Sequence, residues 1–248
     1  MRWLALVLML FAAPATAEEI VLGLSQDEVA ISATFDGSEI LIFGAIKREA
    51  TPPEGELGVI VTVAGPDTPL TVRRKERRFG IWVNTDAVDI DLAPTFYAVA
   101  SSGPLAEVLR ATEDLRHKVT IPSVIRNVGA SVMDSPAFEQ ALMRIRFENG
   151  LYLRLEGGVD LEEDTLFRTA IRMPANLTEG DYPTRIFLTR DGRVVDIYET
   201  QIEVNKVGLE RWLYDLAHEN AFLYGLMSLA IAIAAGWGAS AAFGLLRR

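Results

Sequence analysis

The chain has 248 residues, with 34 acidic against 24 basic side chains, and it contains no cysteine. The lack of cysteine excludes disulfides, thiolate metal sites, cysteine nucleophiles and a lipid-modified N-terminal cysteine. A net charge of −10 argues against general nucleic-acid binding, because neutralising phosphates requires a basic surface. Hydrophobic residues make up 50% of the chain, and their excess lies at its two ends.

Residues 1–17 have the pattern of a secretory signal peptide. Arg2 gives the positively charged start, and the apolar run Trp3–Phe11 is too short to span a bilayer. Ala15-Thr16-Ala17 places small residues where signal peptidase cleaves, so we predict cleavage after Ala17. The alternative is an uncleaved N-terminal anchor, which the short apolar run disfavours.

Residues 18–101 are predicted to form an N-terminal β-sandwich domain. Residues 27–35 alternate between polar and apolar side chains, and Asp36-Gly37 is a tight-turn signal. Residues 38–46 are apolar on both faces over their second half, as expected for a strand inside a sandwich. Further short segments follow at the spacing of about 8–12 residues that is typical of an immunoglobulin-like sandwich. These predicted strands are 57–64, 70–74, 79–83, 88–92 and 96–100.

The most unusual segment of this region is the basic hexapeptide Arg73-Arg74-Lys75-Glu76-Arg77-Arg78, which has five basic residues within an acidic protein. In a strand, Arg73, Lys75 and Arg77 project to one face. Clustered cations can bind an oxyanion, a lipid phosphate or the acidic patch of a partner. The candidate anion- or partner-binding residues are therefore Arg73, Arg74, Lys75, Arg77 and Arg78. The alternative is a solvated edge strand or hairpin tip, where charges prevent edge-to-edge pairing.

Residues 102–150 change to a helical pattern and form a connecting segment, and residues 151–205 return to β. Ser135-Pro136 opens a helix that Asn149-Gly150 ends. The predicted fold class is mainly β: an immunoglobulin-like, sandwich-rich periplasmic region with a short helical insertion, followed by one C-terminal transmembrane helix. The sequence leaves open whether residues 18–205 form one domain or two.

Residues 206–220 predict a juxtamembrane amphipathic helix, and residues 221–246 predict a transmembrane helix. The second segment has no charged residue and extends about 39 Å as a helix, which is enough to cross a bilayer with some tilt. Arg247 and Arg248 form a cytoplasmic tail, 247–248, by the positive-inside rule. We therefore expect a type I single-pass protein of the inner membrane, with the bulk of the chain in the periplasm and the C-terminus in the cytoplasm.

Small residues recur every four positions along the predicted transmembrane helix, at Ser228, Ala232, Gly236, Ser240 and Gly244. Such a ridge lets two helix backbones approach closely. These residues are therefore candidates for packing against a polytopic membrane protein or a second copy of the chain. The alternative is compositional, because a second ridge of small residues consists of Ala230, Ala234, Gly238 and Ala242.

Several short segments carry a family resemblance. They are Gly23-Leu24-Ser25, the hairpin Phe35-Asp36-Gly37 with Ile42-Phe43-Gly44, Arg73-Arg74-Lys75, Gly80-Ile81-Trp82-Val83-Asn84, Phe96–Ser101 and Ala235-Gly236-Trp237. Together they resemble the alphaproteobacterial putative transmembrane protein family over nearly the whole mature chain. The resemblance implies a single-pass membrane protein with an accessory role, encoded beside permeases of the sulfite-exporter type.

The sequence contains no G-x-S-x-G, H-E-x-x-H, P-loop or G-x-G-x-x-G motif. His117 with Glu113 and Asp114 has the spacing of surface pairing on a helix, and the acidic residues of segment 156–164 lack calcium-loop spacing. We therefore expect a non-enzymatic protein without metal or cofactor. Its expected protein partner is a polytopic membrane protein, such as a sulfite-type anion exporter, or a second copy of itself. The lipid bilayer is a further expected contact. The alternative is a membrane-tethered periplasmic protein that binds a small anion at the basic hexapeptide.

Overall fold

The structure is a computed structural model that describes residues 18–25, 28–31, 37–48, 54–127, 134–206 and 209–246. The predicted signal peptide 1–17, the turn residue Asp36 and the predicted tail 247–248 lie outside the described residues. The chain divides into two compact units. The first contains the described residues up to Val29 and from Gly37 to Val204, and the second contains Ala30, Ile31 and the described residues from Asn205 onward.

Most of the first unit is β-structure. The strands, of which β2 and β12 end in the second unit, are β1 Glu18–Leu24, β2 Glu28–Ile31, β3 Ser38–Arg48, β4 Leu57–Ala64, β5 Asp67–Arg78, β6 Ile81–Pro94, β7 Tyr97–Ser101, β8 Tyr152–Glu156, β9 Val159–Glu162, β10 Leu166–Met173, β11 Gly180–Arg190 and β12 Arg193–Lys206. The three predicted strands 70–74, 79–83 and 88–92 are wrong as separate elements. They belong to one long hairpin, whose β5 and β6 run continuously to a turn at Phe79-Gly80.

The helices match the sequence pattern more closely. They are α1 Leu105–Val108, α2 Ala111–His117, α3 Ile121–Val124, α4 Ser135–Glu148, α5 Leu209–Glu219 and α6 Ala221–Leu246. Helix α4 begins and ends where Ser135-Pro136 and Asn149-Gly150 predict, and it buries Phe138 and Leu142. The mainly β fold class, with a short helical insertion and one C-terminal apolar helix, is confirmed; the immunoglobulin-like topology stays a prediction.

The strands form two larger sheets and one isolated hairpin. The four-stranded sheet has the order β1-β3-β10-β9, and the six-stranded sheet has the order β2-β12-β11-β4-β7-β8. Both sheets therefore combine strands from the two predicted β regions, so that these regions build one unit. Strands β7 and β8 are parallel neighbours, and parallel neighbours need a long crossover connection. Helices α1 to α4 lie in that connection, which gives the helical insertion its structural role.

Strands β4 and β7 of the six-stranded sheet are covered on both faces. On one face, Ile60, Val99 and Phe187 pack against apolar residues of the helical segment, including Leu105 and Ile121. On the other side, β9 and β10 of the four-stranded sheet contact β4 and β7. Strand β4 is consequently buried from Leu57 to Val63, and β7 is buried throughout. This arrangement of layers forms the core of the unit.

The first residue of β1 joins the two sheets electrostatically. The carboxylate of Glu18 is buried, with an Oε1 atom 3.1 Å from Nε of Arg48 on β3 and 2.6 Å from Nη2 of Arg190 on β11. Charge-assisted hydrogen bonds of this kind are stronger than neutral ones, and they also fix the relative positions of the groups that they join. Glu19 points to the other face and forms an exposed pair with Lys47. The start of β1 is therefore held between the four-stranded and the six-stranded sheet.

The second unit contains the two C-terminal helices. Helix α5 is amphipathic, and backbone hydrogen bonds continue through Asn220 into α6. The segment Ala221–Ser240 is long and apolar enough to cross a membrane, and none of it is buried in the structure. A helix that is hydrophobic on all sides and uncovered by protein is typical of a membrane span.

Candidate functional site: a projecting basic hairpin

The β5–β6 hairpin extends away from the rest of the first unit, which we call the body. Within the described residues its two strands form a sheet of their own, and β6 has one further bridge, between Leu92 near its end and Arg126. At the base, Leu70, Val72 and Ile90 pack against Leu142 of α4. At a rise of about 3.3 Å per residue, the stretch from Val72 to Phe79 carries the tip about 23 Å beyond this base. The distal half of the hairpin is therefore largely surrounded by solvent.

The turn at the tip has an unusual residue for its geometry. Phe79 and Gly80 both have positive φ, at 51° and 87°, as in the type I′ turns that join two-residue hairpins. Such turns favour asparagine, aspartate and glycine, and the left-handed conformation is strained for a bulky side chain. The side chain of Phe79 is also fully exposed, at 107%. Neither turn geometry nor burial explains a phenylalanine at this position.

Three further apolar side chains lie next to the turn on β6. Ile81 and Trp82 are 67% and 69% exposed, and Val83 is also exposed. We call Phe79, Ile81, Trp82 and Val83 the apolar tip. Scattered exposed apolar residues are normal, but four at the end of one projecting hairpin are concentrated in the way that marks an interaction site.

The basic hexapeptide forms the distal half of β5, where its last three residues pair with Ile81, Trp82 and Val83 of the apolar tip and its first three lie behind the tip. Strand alternation places Arg73, Lys75 and Arg77 on one face, in register with Ala87, Asn84 and Trp82 of β6. All three basic side chains are exposed. Among the residues that the structure describes, none of the three has a carboxylate within salt-bridge distance. We call Arg73, Lys75 and Arg77 the basic face.

The other two predicted binding residues have partners within the chain. Arg74 lies on the opposite face, where its Nη2 is 2.5 Å from Oδ2 of Asp134 and its guanidinium lies 4.6 Å from the centroid of the Phe138 ring. The hydrogen bond with Asp134 raises the pKa of Arg74. Arg78 pairs with Glu76 at 3.2 Å, in an exposed pair that contributes little to stability. The five candidate residues thus separate into a free basic face and two residues with intramolecular partners.

The predicted packing ridge lies on helix α6. The residues Ser228, Ala232, Gly236 and Ser240 are exposed. Gly244 lies in the last turn of the helix, of which the structure describes only the backbone. A Cβ placed on Gly236 would have no described heavy atom within 4 Å, and the same holds for Gly238 on the opposite side of the helix. Both ridges of small residues are therefore open to a partner.

Two other clusters have structural roles in the body. The carboxylate of Asp114 accepts hydrogen bonds from the backbone of Val119 and Thr120 and from the hydroxyls of Thr120 and Ser123, and it thereby holds the start of α3. Burial raises the pKa of Asp114, but these hydrogen bonds outweigh burial and lower it overall. Near it, His117 lies 3.4 Å from Glu113 across one helical turn.

The predicted acidic segment is engaged in ordinary ion pairs. Asp160 and Glu162 on β9 lie 3.2 and 3.4 Å from the guanidinium of Arg168 on the neighbouring strand. In the part of the chain that the structure describes, no group of three or more His, Asp or Glu side chains could hold a metal ion. These residues are surface pairs of a sheet.

The match with known proteins concerns nearly the whole chain. A family model described as "Putative transmembrane protein (Alph_Pro_TM)" matches residues 19–244. The chain belongs to this family. A comparison with curated proteins finds no significant match. The matched range includes the body, the hairpin and helix α6, and both the family description and the uncovered apolar helix indicate membrane association.

The sequence pattern indicates the basic residues of the hairpin but not its apolar tip. It predicts a strand from Phe79 to Val83, in which alternate apolar residues are expected to be buried. The available signal was Gly80, because a glycine between two β-forming segments is typical of a tight turn. Placing the turn there would have put Phe79 at the end of a hairpin.

Proposed function

We propose that this protein is a non-enzymatic single-pass protein of the inner membrane, and that it acts as the accessory subunit of a polytopic membrane protein such as a sulfite-type anion exporter. The observation that supports this function best is helix α6, whose apolar surface is uncovered and carries small residues at every fourth position. A helix that serves only as an anchor does not need such positions. Close backbone approach to another membrane helix does need them.

The experiment compares two glycines on opposite sides of the same helix. Gly236→Leu places a bulky side chain on the predicted ridge, and Gly238→Leu makes the identical change about 200° away around the helix. Each full-length variant is purified with a tag from native membranes, and its copurifying membrane proteins are identified. We expect Gly236→Leu to lose a stoichiometric polytopic partner that the wild type and Gly238→Leu retain. Retention of every partner by both variants would leave α6 as an anchor and refute the accessory role.

The proposal includes a type I orientation, with the body in the periplasm. Arg247 and Arg248 directly after the apolar segment support it, because positive residues stay on the cytoplasmic side. A reporter that is active only in the periplasm should be silent when fused after Arg248 and active when fused after Asn205. The reverse pattern would place the body in the cytoplasm.

The alternative function is the capture of a small anion by the basic hexapeptide. A small oxyanion is bound best where several donors converge around it. Arg73, Lys75 and Arg77 instead follow one another along a projecting strand, and Arg74 faces the other side, against Asp134. This geometry favours an extended anionic surface over a single small anion.

A further inference from the structure

We propose that the tip of the β5–β6 hairpin inserts into the interface of a bilayer that contains anionic lipids, as a second membrane contact besides helix α6. The proposal concerns a different site from the partner ridge of α6 and goes beyond the proposed function. It rests on the apolar tip, on the basic face behind it and on the contrast of both with the acidic body.

The order of residues along the hairpin matches the depth profile of a membrane surface. Phe79, Ile81 and Trp82 lead, and aromatic residues such as tryptophan favour the level of the lipid headgroups. Arg77 lies beside Trp82 in the strand register, and Lys75 and Arg73 follow behind it. At the rise of a β-strand, Arg77, Lys75 and Arg73 are about 7, 13 and 20 Å from Phe79. Interfacial segments bury their apolar side to a depth of about 5–10 Å, which brings Arg77 to the level of the phosphates. The long side chains of Lys75 and Arg73 behind it can extend toward the same layer.

The charge of the molecule restricts this contact to the hairpin tip. The chain has a net charge of −10, and Arg2, Arg247 and Arg248 lie outside the body, so that the body itself is more acidic still. Anionic lipids repel such a surface and attract a cluster of cations within about one Debye length. The body therefore stays away from the bilayer while the basic face approaches it.

A lipid surface fits the tip better than a protein surface does. Stable protein interfaces bury about 1,200–2,000 Å² in total, whereas the tip offers four apolar side chains on a convex two-stranded turn. Membrane insertion needs no complementary concave surface. In addition, α6 is an apolar helix of membrane-spanning length, so a bilayer is present wherever this chain is anchored. Anchoring makes even a weak second contact effective, because the contact is then intramolecular in character.

The identity of Phe79 supplies a test with two opposite outcomes. Asparagine adopts positive φ more easily than phenylalanine, so Phe79→Asn relieves the strain of the turn. If the phenylalanine serves membrane contact, this variant should keep or raise the melting temperature of the protein and should weaken insertion. If Phe79 instead stabilises the fold, Phe79→Asn should lower the melting temperature.

The absence of cysteine makes the depth of insertion measurable. Ile81→Cys places a single environment-sensitive dye at the tip, and Leu115→Cys places the same dye on α2 of the body, where Leu115 is 77% exposed. The full-length protein is reconstituted through α6 into vesicles of phosphatidylcholine alone, or of equal parts phosphatidylcholine and phosphatidylglycerol. Quenching by bromine on the acyl chains reports contact with lipid, and quenching by iodide reports contact with water.

We expect the dye at position 81 to be quenched by the brominated lipid and protected from iodide in the anionic vesicles, while the dye at position 115 stays in water. Changing Arg73, Lys75 and Arg77 to Gln together, or Phe79 to Asn, should reduce lipid quenching at least several-fold. The matched control changes the exposed Arg154, Arg172 and Arg193 of the body to Gln, which removes the same charge and should leave quenching unchanged.

Three results would overturn the proposal. In the first, the dye at position 81 stays in water in both kinds of vesicle. In the second, insertion is reversed by inorganic phosphate but not by chloride at the same ionic strength, which would assign the cations to a free anion. In the third, the dye is shielded only after a native membrane-protein fraction is added, which would assign the tip to a protein partner. Each result is independent of the copurification that tests α6.

Discussion

The six-stranded sheet and the β5–β6 hairpin are built from similar β-forming sequence. They differ in their surroundings, because central strands of the sheet are covered by other elements and the end of the hairpin is exposed. Strands β4 and β7 have a layer on each face, formed by the four-stranded sheet and the helical crossover. In the hairpin, Arg74 lies against Asp134 and Phe138, and residues 75–84 beyond it are exposed. Local sequence therefore sets which segments are strands, whereas the connections between strands decide which of them are covered.

The two regions consequently depend on different interactions. In the body, stability comes mainly from apolar area removed from water. In the distal hairpin, it comes from backbone hydrogen bonds and from cross-strand side-chain pairs, which contribute only modestly. An apolar residue in the body therefore serves the fold, and an apolar residue at the hairpin tip is free to serve contact with something else.

The largest expected effect comes from the same substitution in both regions. Phe187→Ala removes a fully buried ring from β11 and should lower the free energy of unfolding by about 3–5 kcal/mol. Phe79→Ala removes a fully exposed ring and should change it by less than about 0.5 kcal/mol. Urea unfolding of the full-length protein in detergent, followed by circular dichroism, measures both. Equal losses would mean that the hairpin tip packs against the body.

A second contrast lies within the body, between two neighbouring glutamates of β1. Glu18→Gln removes the charge that balances Arg48 and Arg190, and it should cost about 3 kcal/mol because those arginines are largely buried. Glu19→Gln breaks an exposed pair with Lys47 and should cost less than about 1 kcal/mol.

The same unfolding assay compares the two variants, and mass spectrometry verifies that both have the same N-terminus. Similar small losses would show that the pairs of Glu18 are screened by water and do not join the sheets.

The sequence predicts most helices and strands of the body. It does not predict the features that depend on contacts between residues far apart in the chain. Strands β3 and β4 and helix α4 follow from alternation, helical spacing and turn residues in their own segments. The sequence does not predict strand β1, because its seven residues follow directly on a predicted signal peptide and have no turn signal before them. It predicts three strands in place of the long hairpin, because the polar residues Asn84 to Asp86 interrupt the apolar pattern where the register of β5 and β6 shifts.

The candidate site was also predicted in part. Strand geometry alone places Arg73, Lys75 and Arg77 on one face, and the structure has them there. The different role of Arg74 could not be predicted, because its partners Asp134 and Phe138 lie about 60 residues further along the chain, on the helical crossover. Which basic residue is free depends on that long-range packing.

Alkaline pH should destabilise the body through three buried tyrosines. Burial raises the pKa values of Tyr97, Tyr152 and Tyr182 to about 12, and the hairpin residues 67–94 include no tyrosine. An unfolded tyrosine titrates near pH 10, so the unfolded state loses its protons first. The stabilisation is therefore complete below about pH 10 and is lost as the pH rises toward 12.

The variant Tyr152→Phe distinguishes two contributions of Tyr152 to stability. One is its raised pKa, and the other is the hydrogen bond that its hydroxyl donates to the carbonyl of Pro94. At neutral pH the variant should be less stable by about 1 kcal/mol. At about pH 11 the difference from the wild type should narrow, because phenylalanine has no proton to release. A difference that is constant between these pH values would mean that the phenol of Tyr152 titrates normally in the folded protein.

The smallest expected effect distinguishes the two faces of the hairpin itself, at the neighbouring residues Arg73 and Arg74. Arg74→Gln removes the pair with Asp134 and the contact with the Phe138 ring, so it should lower Tm by about 1–2 °C. Arg73→Gln removes an exposed cation with no described ionic partner and should leave Tm unchanged. Both variants lose one positive charge, so a general effect of net charge would move both equally. High salt should reduce the loss in Arg74→Gln only in part, because it screens the exposed ion pair more than the packing against Phe138. If Arg73→Gln lowers Tm as much as Arg74→Gln, the basic face is bound to the body, and its cations are not available to an anionic surface.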